Sequence, residues 1–191
     1  MFGRIQTVDN KVLYNISRMH KPALTKIMVA SSRLGNAGFV WWAICIPFFV
    51  VPEWRKTGFN FVFALCLAHL MGEIIIKHLV KRTRPCHLLE DEEQIINRPR
   101  FYSFPSGHTT ASFAFATTAL LRCQPAACLP ILFLAFMIGF SRIYLRVHYL
   151  TDVVCGMLLG STCGIISVML FNNVFSRSEE RRVGKECRSR W

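Results

Sequence analysis

Residues 141–171 read SRIYLRVHYLTDVVCGMLLGSTCGIISVMLF, and the stretch from Val153 to Phe171 carries no charged residue at all. A helix that is apolar on every side belongs in a bilayer or at the centre of a large core. Immediately before it stand His148 and Asp152, four residues apart. On a helix that spacing puts both on one face, so the carboxylate can orient one imidazole nitrogen while the other attacks an electrophile. Gly156, Gly160 and Gly164 then repeat every four residues in register with Asp152. Small residues on one face let helices approach closely, so this stripe is expected to point into a bundle and to carry Asp152 and His148 inward with it.

Working outward, two further strings supply matching chemistry. Lys77 is followed by Arg84-Pro85, and Pro105-Ser106-Gly107-His108 opens an apolar segment, while Ser141-Arg142 precedes His148. Arg84 and Arg142 are planar forks that fit phosphate oxygens, and Lys77 adds a point charge. A helix opening at Ser106 and Gly107 would offer free backbone N–H groups and the positive end of a dipole to the same anion. Three cations, a hydroxyl and two histidines, one with a carboxylate a turn later, are the inventory for moving a phosphoryl group through a histidine without a metal.

Composition points to a membrane by a separate route. Hydrophobic residues make up 52% of the 191, and charged residues only 18%, below the roughly 25% of soluble domains. The apolar residues cluster in Ala37 to Val51, Phe59 to Ile76, Thr109 to Leu121, Ala126 to Phe140 and Val153 to Phe171. Several runs are shorter than the roughly 20 residues that cross a bilayer, so the helices must extend into flanking polar residues, which brings the three strings to helix ends. The fold class expected is therefore all-α: an integral membrane bundle of five to six transmembrane helices, with one domain over residues 1–175. If Phe59 to Ile76 runs toward the site, Lys77, Arg84, Ser106, Arg142 and His148 emerge at one end. Arg55, Lys56 and Arg122 fall at the other, which the positive-inside rule assigns to the cytoplasm.

The three strings resemble the tripartite signature of the type-2 phosphatidic acid phosphatase superfamily, over about residues 59–171, with every signature position filled. The resemblance implies a helical bundle, a phosphohistidine intermediate, no cofactor and no metal. It implies that His148 is the nucleophile, Asp152 its orienting partner, and His108 the acid for the leaving group and later the base for water. Lys77, Arg84, Ser106, Gly107 and Arg142 are implied as the phosphate cradle. The implied substrate is a lipid phosphate such as phosphatidate, phosphatidylglycerophosphate or undecaprenyl pyrophosphate, and the implied setting a bacterial inner membrane with the site facing outward. A lipid phosphotransferase using the same intermediate is the alternative; a non-catalytic lipid-binding protein would not need both histidines.

Ile5, Val8, Val12, Ile16 and Met19 recur at helical spacing, with Arg4, Lys11 and Arg18 seven apart on one flank. This predicts an N-terminal amphipathic helix, lying in the headgroup layer or packed on the bundle by the same stripe. No compact apolar core of a signal peptide is visible ahead of it. Residues 27–36 could begin a long spanning helix or form a shallow one. Glu73, one turn before Lys77, is expected to pair with it. The loop from Lys81 to Phe104, with its acidic run Glu90 to Glu93, is expected to be a lid over the site or a solvated connection. His20, His69, His78 and His87 are read as structural or solvated, and Trp41-Trp42 as packing or an interfacial anchor. Of the eight cysteines, Cys45, Cys66, Cys155 and Cys163 fall in apolar runs and Cys123 and Cys128 flank a short turn, and the set predicts neither a disulfide framework nor a zinc site. The net charge of +12 indicates contact with anionic lipid, not nucleic acid. Residues 176–191, a polar tail of abruptly different composition, are expected to be disordered or non-native. Oligomeric state has no sequence signal.

Overall fold

Prolines at first-turn positions and a glycine-rich break divide the chain into its helices. A computed structural model describes residues 2–88 and 95–188, with side chains described over 3–88 and 95–173. The helices are α1 (Phe2–Ser17), α2 (Pro22–Leu34), α3 (Phe39–Val50), α4 (Arg55–His69), α5 (Lys77–Val80), α6 (Gly107–Arg122), α7 (Pro125–Tyr144) and α8 (Leu150–Arg188). A π-helical stretch, Leu70–Ile76, joins α4 to α5, and short 3₁₀ turns cover Asn36–Gly38, Pro52–Trp54 and Pro85–Leu88. No strand occurs among the described residues, so the all-α class holds. The acidic run Glu90 to Glu93 and the side chains of the tail lie outside them.

Three helical stretches are long and apolar enough to cross a membrane: Pro52–Leu88, Pro125–Tyr144 and Leu150–Asn173. The bent pair Pro22–Leu34 and Asn36–Val50, broken by 53°, makes a fourth if it acts as one span. That is fewer than five to six. The break has a local cause, since Ala37 (φ 50°) and Gly38 (φ 69°) take the left-handed conformation that stops a helix. Most of residues 27–36 thus belong to α2, ahead of the break. The other shortfall is α6, whose 16 residues rise only about 24 Å, against a hydrocarbon core of about 30 Å.

The glycine stripe of α8 sets how α6 and α8 meet. A Cβ added at Gly160 would lie 2.2 Å from the Thr110 carbonyl oxygen, at Gly164 2.8 Å from that of Ala114, and at Gly156 3.0 Å from that of Ser106. The two backbones are therefore in direct contact along three turns, as the sequence pattern predicted, and the N-terminal turns of α6 and α8 lie side by side. Between α3, α4 and α6 the core is aromatic. Phe61 stacks on Phe115 (centroids 4.1 Å apart, planes at 10°), and Trp41 stacks on the same ring at 4.9 Å. Such pairs contribute about 0.5–1.5 kcal/mol each beyond area burial. Trp41 is fully buried and its Nε1–H donates to Ser112 Oγ at 3.1 Å, whereas Trp42 is exposed on the other side of α3. Asn60 on α4 and Ser167 on α8, both fully buried, exchange bonds of 3.2 and 2.9 Å with each other's carbonyls. In a lipid environment, where apolar burial between helices gives no net drive, close packing and such polar clasps hold the bundle.

The charged strings gather at one end. Chain reversals at Pro52–Trp54 and at Cys123–Gln124 lie at the other, where Arg122 Nη2 donates to Asn172 Oδ1 across α6 and α8. Helix α1 docks at the site end through Asp9, Leu13 and Ile16, leaving Ile5, Val8, Tyr14 and Met19 exposed. Only part of the expected apolar stripe faces the bundle. Gly160→Val should cost about 1–3 kcal/mol, because backbone oxygen cannot yield to the added carbons. The check is the thermal midpoint of purified protein in detergent, with Gly3→Ala, where nothing lies within 4 Å of the new Cβ, as the unchanged control.

Candidate active site

Each helix end contributes a residue type that its local structure leaves unsatisfied. The N–H groups of Gly107, His108 and Thr109 precede the first bond of α6, which runs from Thr110 N–H to the Ser106 carbonyl at 2.9 Å. Opposite this turn, α7 ends with Arg142, the Arg146 turn delivers His148, and the π-helical stretch brings Glu73 and Lys77. These residues line a cavity of about 670 Å³, whose lining combines the polar Lys77, Arg84, Gly107, His108, Arg142 and His148 with the apolar Trp42, Leu65, Ala68 and Leu70. Lys77, Arg84 and Arg142 are each only 4% exposed, so three cations share one largely dehydrated space.

Their hydrogen bonds fix orientation without exhausting the donors. Arg84 donates from Nε to the Phe101 carbonyl, and from Nη1 to the Val147 carbonyl at 3.1 Å and to His148 Nε2 at 2.9 Å. Arg142 Nη1 donates to Ser32 Oγ, while its buried Nε has no partner among the described residues. Lys77 Nζ donates to Glu73 Oε1 at 2.6 Å, the ion pair anticipated from their spacing. That carboxylate lies directly over Gly107, where a Cβ would fall 1.8 Å from Oε1. A side chain at Gly107 would have to displace the Glu73 carboxylate from its place beside Lys77.

Because Arg84 can only donate, His148 Nε2 must be the accepting, unprotonated nitrogen, and the ring proton sits on Nδ1. Nδ1 faces Asp152 Oδ2 at 3.6 Å, within ion-pair range but longer than a hydrogen bond. Oδ2 accepts instead from Ser103 Oγ and from the Tyr149 N–H at 2.8 Å, and Oδ1 accepts from Arg82 Nη1 at 2.7 Å. Burial, reinforced by the Arg84 and Arg142 charges and opposed by Asp152, pushes the His148 imidazole from 6.5 down to about 3. The free lone pair on Nε2 is therefore present at neutral pH. His108 Nε2 donates to Asn36 Oδ1 at 2.9 Å, which holds the second imidazole by the α2–α3 break.

Of the eight site residues read from sequence, six line the cavity. Asp152 stands behind His148 and is fully buried. Ser106 is also fully buried, its hydroxyl accepting from Thr109 Oγ1 at 2.9 Å and its N–H donating to the Asp152 carbonyl at 3.0 Å. Its side chain thus braces the turn and does not line the cavity. Sequence reasoning missed Asn36, Arg82 and Ser103. Arg82 sits two residues before Arg84, and that proximity to a singled-out cation was the one available signal. The Lys81 to Phe104 loop contributes Phe101 to the cavity wall and Ser103 to Asp152. His20 is structural, with Nε2 at 2.9 Å from the Tyr144 carbonyl, while His69 lines the cavity.

Comparison with known proteins gives a consistent picture. The model of the PAP2 superfamily matches residues 57–176. Undecaprenyl-diphosphatase of Sulfolobus acidocaldarius is 29% identical over 147 residues, 77% of this chain and 70% of that protein. Phosphatidylglycerophosphatase B of Bacillus subtilis is 27% identical, covering 82% of this chain and 79% of its own length. Among solved structures, Aquifex aeolicus LpxE superposes with a TM-score of 0.74 at 29% identity, over 85% of this chain and 95% of that one.

The depressed His148 basicity has a direct readout. In protein labelled with ¹⁵N-histidine, the His148 ring resonances, assigned by their loss in His148→Asn, should report a neutral imidazole from pH 7.5 down to about 5. Protonation with a midpoint near the ordinary 6.5 would contradict the buried, cation-flanked environment.

Proposed function

The chain belongs to the PAP2 superfamily, and on that premise we propose that it hydrolyses a phosphomonoester or pyrophosphate on a membrane lipid, with His148 as nucleophile. The observation that carries this reading is the mixed lining of the cavity. Three buried cations and a helix N-terminus suit a phosphate, and the apolar Trp42, Leu65, Ala68 and Leu70 suit the hydrocarbon attached to it. Undecaprenyl-diphosphatase and phosphatidylglycerophosphatase B act on such amphiphiles by name, and the substrate proposed here is of that class.

The chemistry follows from the donors. A phosphate entering the cavity takes over the Arg84 bond now made to His148 Nε2, which frees the lone pair for in-line attack on phosphorus. The bond to the lipid oxygen breaks as the N–P bond forms, and a proton from His108 goes to that oxygen. His108, now neutral, takes a proton from water, the hydroxide oxygen bonds to phosphorus, and the N–P bond breaks to release inorganic phosphate. Lys77, Arg84, Arg142 and the first-turn N–H groups of α6 stabilise the equatorial oxygens, where transition-state charge gathers. Asp152, with Oδ2 at 3.6 Å from Nδ1, offsets the charge that grows on the imidazole. PAP2 lipid phosphatases work without a metal, and the cations of this chain occupy the position such an ion would serve.

The membrane arrangement we propose has five passes: the broken α2–α3, the continuous α4–α5, then α6, α7 and α8, with α1 in the headgroup layer. The site opens at the outer face of a bacterial inner membrane, keeping Arg55, Lys56 and Arg122 cytoplasmic. The exposed Arg4, Lys11 and Arg18 of α1 run against that count, and are assigned to anionic headgroups.

A panel of phosphatidate, phosphatidylglycerophosphate and undecaprenyl pyrophosphate, assayed for phosphate release with EDTA present, tests the activity. At least one lipid should be hydrolysed at an undiminished rate, and loss of all activity to the chelator would overturn the mechanism. Arg84→Lys and Arg142→Lys should each lower the rate about ten- to a hundredfold, since losing a charged hydrogen bond costs about 1.5–3 kcal/mol. Intact cells should act on dioctanoyl phosphatidate added outside. Activity that appears only after permeabilisation reverses the orientation and spares the chemistry.

A further inference from the structure

The carboxylate beside His148 belongs to a larger charged cluster that reaches into α1. Arg82 Nη1 donates to Asp152 Oδ1 at 2.7 Å and to Thr151 Oγ1 at 2.8 Å; its Nη2 donates to Asp9 Oδ2 at 2.7 Å and to Gln6 Oε1 at 2.8 Å. Asp9 in turn accepts from the Thr151 N–H at 3.0 Å and from Thr151 Oγ1 at 2.6 Å. The guanidinium carbon lies 3.9 Å from the centroid of the Tyr149 ring. Both carboxylates are fully buried, and Arg82 is 20% exposed. Thr151 and Asp152, in the first turn of α8, are thereby both tied to Arg82, and Thr151 to Asp9 as well.

We propose that Arg82 and Asp9 are positioning residues for catalysis, acting through Asp152, so that the N-terminal helix is a working part of the active site. Two physical effects support it. The planar guanidinium grips two carboxylates at once, which a lysine ammonium cannot do with the same geometry, and so sets the direction in which Asp152 faces His148. The second effect is charge. An arginine paired with Asp152 alone would cancel the carboxylate that offsets positive charge growing on His148 during attack. Asp9 shares that arginine, so two carboxylates and one guanidinium leave one negative charge beside the imidazole. A purely structural clamp between α1 and α8 would need neither the shared arginine nor the placement of its second arm on Asp152.

The inference rests on the proposed role of His148, and the test separates the two. A double-variant cycle is built from Asp9→Asn, Asp152→Asn and the pair, with the full-length protein in detergent. Turnover is read with whichever panel lipid the wild type hydrolyses, and equilibrium vanadate affinity is read alongside. Asp9→Asn should lower kcat about tenfold or more with KM within about twofold, and should weaken vanadate binding. In the Asp152→Asn background the same change should cost less than about twofold on both readouts, because the carboxylate through which Asp9 acts is gone. Arg82→Lys in both backgrounds gives a second, charge-conserving cycle should Asp9→Asn fail to purify as a monodisperse species. Equal losses in the two backgrounds, or a loss confined to KM, would overturn the proposal. A wild type that binds vanadate but hydrolyses no panel lipid would sink the substrate reading while leaving the vanadate cycle decisive for this one.

Discussion

Three cations buried within one cavity are the constraint around which the molecule is arranged. Lys77, Arg84 and Arg142 repel one another and have lost most of their water, a state that is costly unless oxygen acceptors surround the charges. The fold supplies some of these acceptors: Glu73 for Lys77, the Phe101 and Val147 carbonyls for Arg84, and Ser32 for Arg142. Among the described residues it leaves the Arg142 Nε and the first-turn N–H groups of α6 without acceptors. A tetrahedral dianion bound as proposed would supply acceptors to both.

Holding like charges together requires rigid supports, and these come from backbone contact. The glycines of α8 press against the carbonyls of α6, locking the turn that carries Ser106, Gly107 and His108 to the turn that carries His148 and Asp152. A hydrogen bond from the Ser106 N–H to the Asp152 carbonyl joins the two turns directly. The π-helical stretch, with its altered register, lets Glu73 reach over Gly107 while Lys77 stays buried beside Arg84. Packing and chemistry therefore depend on the same small residues, and a change at Gly156 or Gly160 alters both.

Much of this was legible in the sequence because the chemistry is written in short local strings. His148 stands two residues ahead of α8 and Asp152 in its first turn, Glu73 and Lys77 are one helical turn apart, and Gly107 adjoins His108, so short spacing relates them. What the sequence did not disclose are partners from distant segments. Asn36 reaches His108 across 72 positions, and Arg82 reaches Asp9 and Asp152 across 73 and 70. A lone Asp9 in an otherwise basic amphipathic helix gives no hint that it is fully buried. Helix breaks were hidden for a different reason. Apolar run length marks which residues avoid water but not where a run bends, and the left-handed residues Ala37 and Gly38 split what hydropathy joins. Ser106 shows the limit of motif reading, since its place in the string suggested a phosphate contact and its hydroxyl instead braces Thr109.

The central claim is that His148 Nε2 carries the phosphoryl group during turnover, and trapping the intermediate tests it most directly. Purified protein mixed with ³²P-labelled lipid phosphate and quenched within the first turnover should yield an acid-labile, alkali-stable label on the peptide containing His148, absent from His148→Ala. Turnover without any trapped label on that peptide, or label that persists in His148→Ala, would contradict the account.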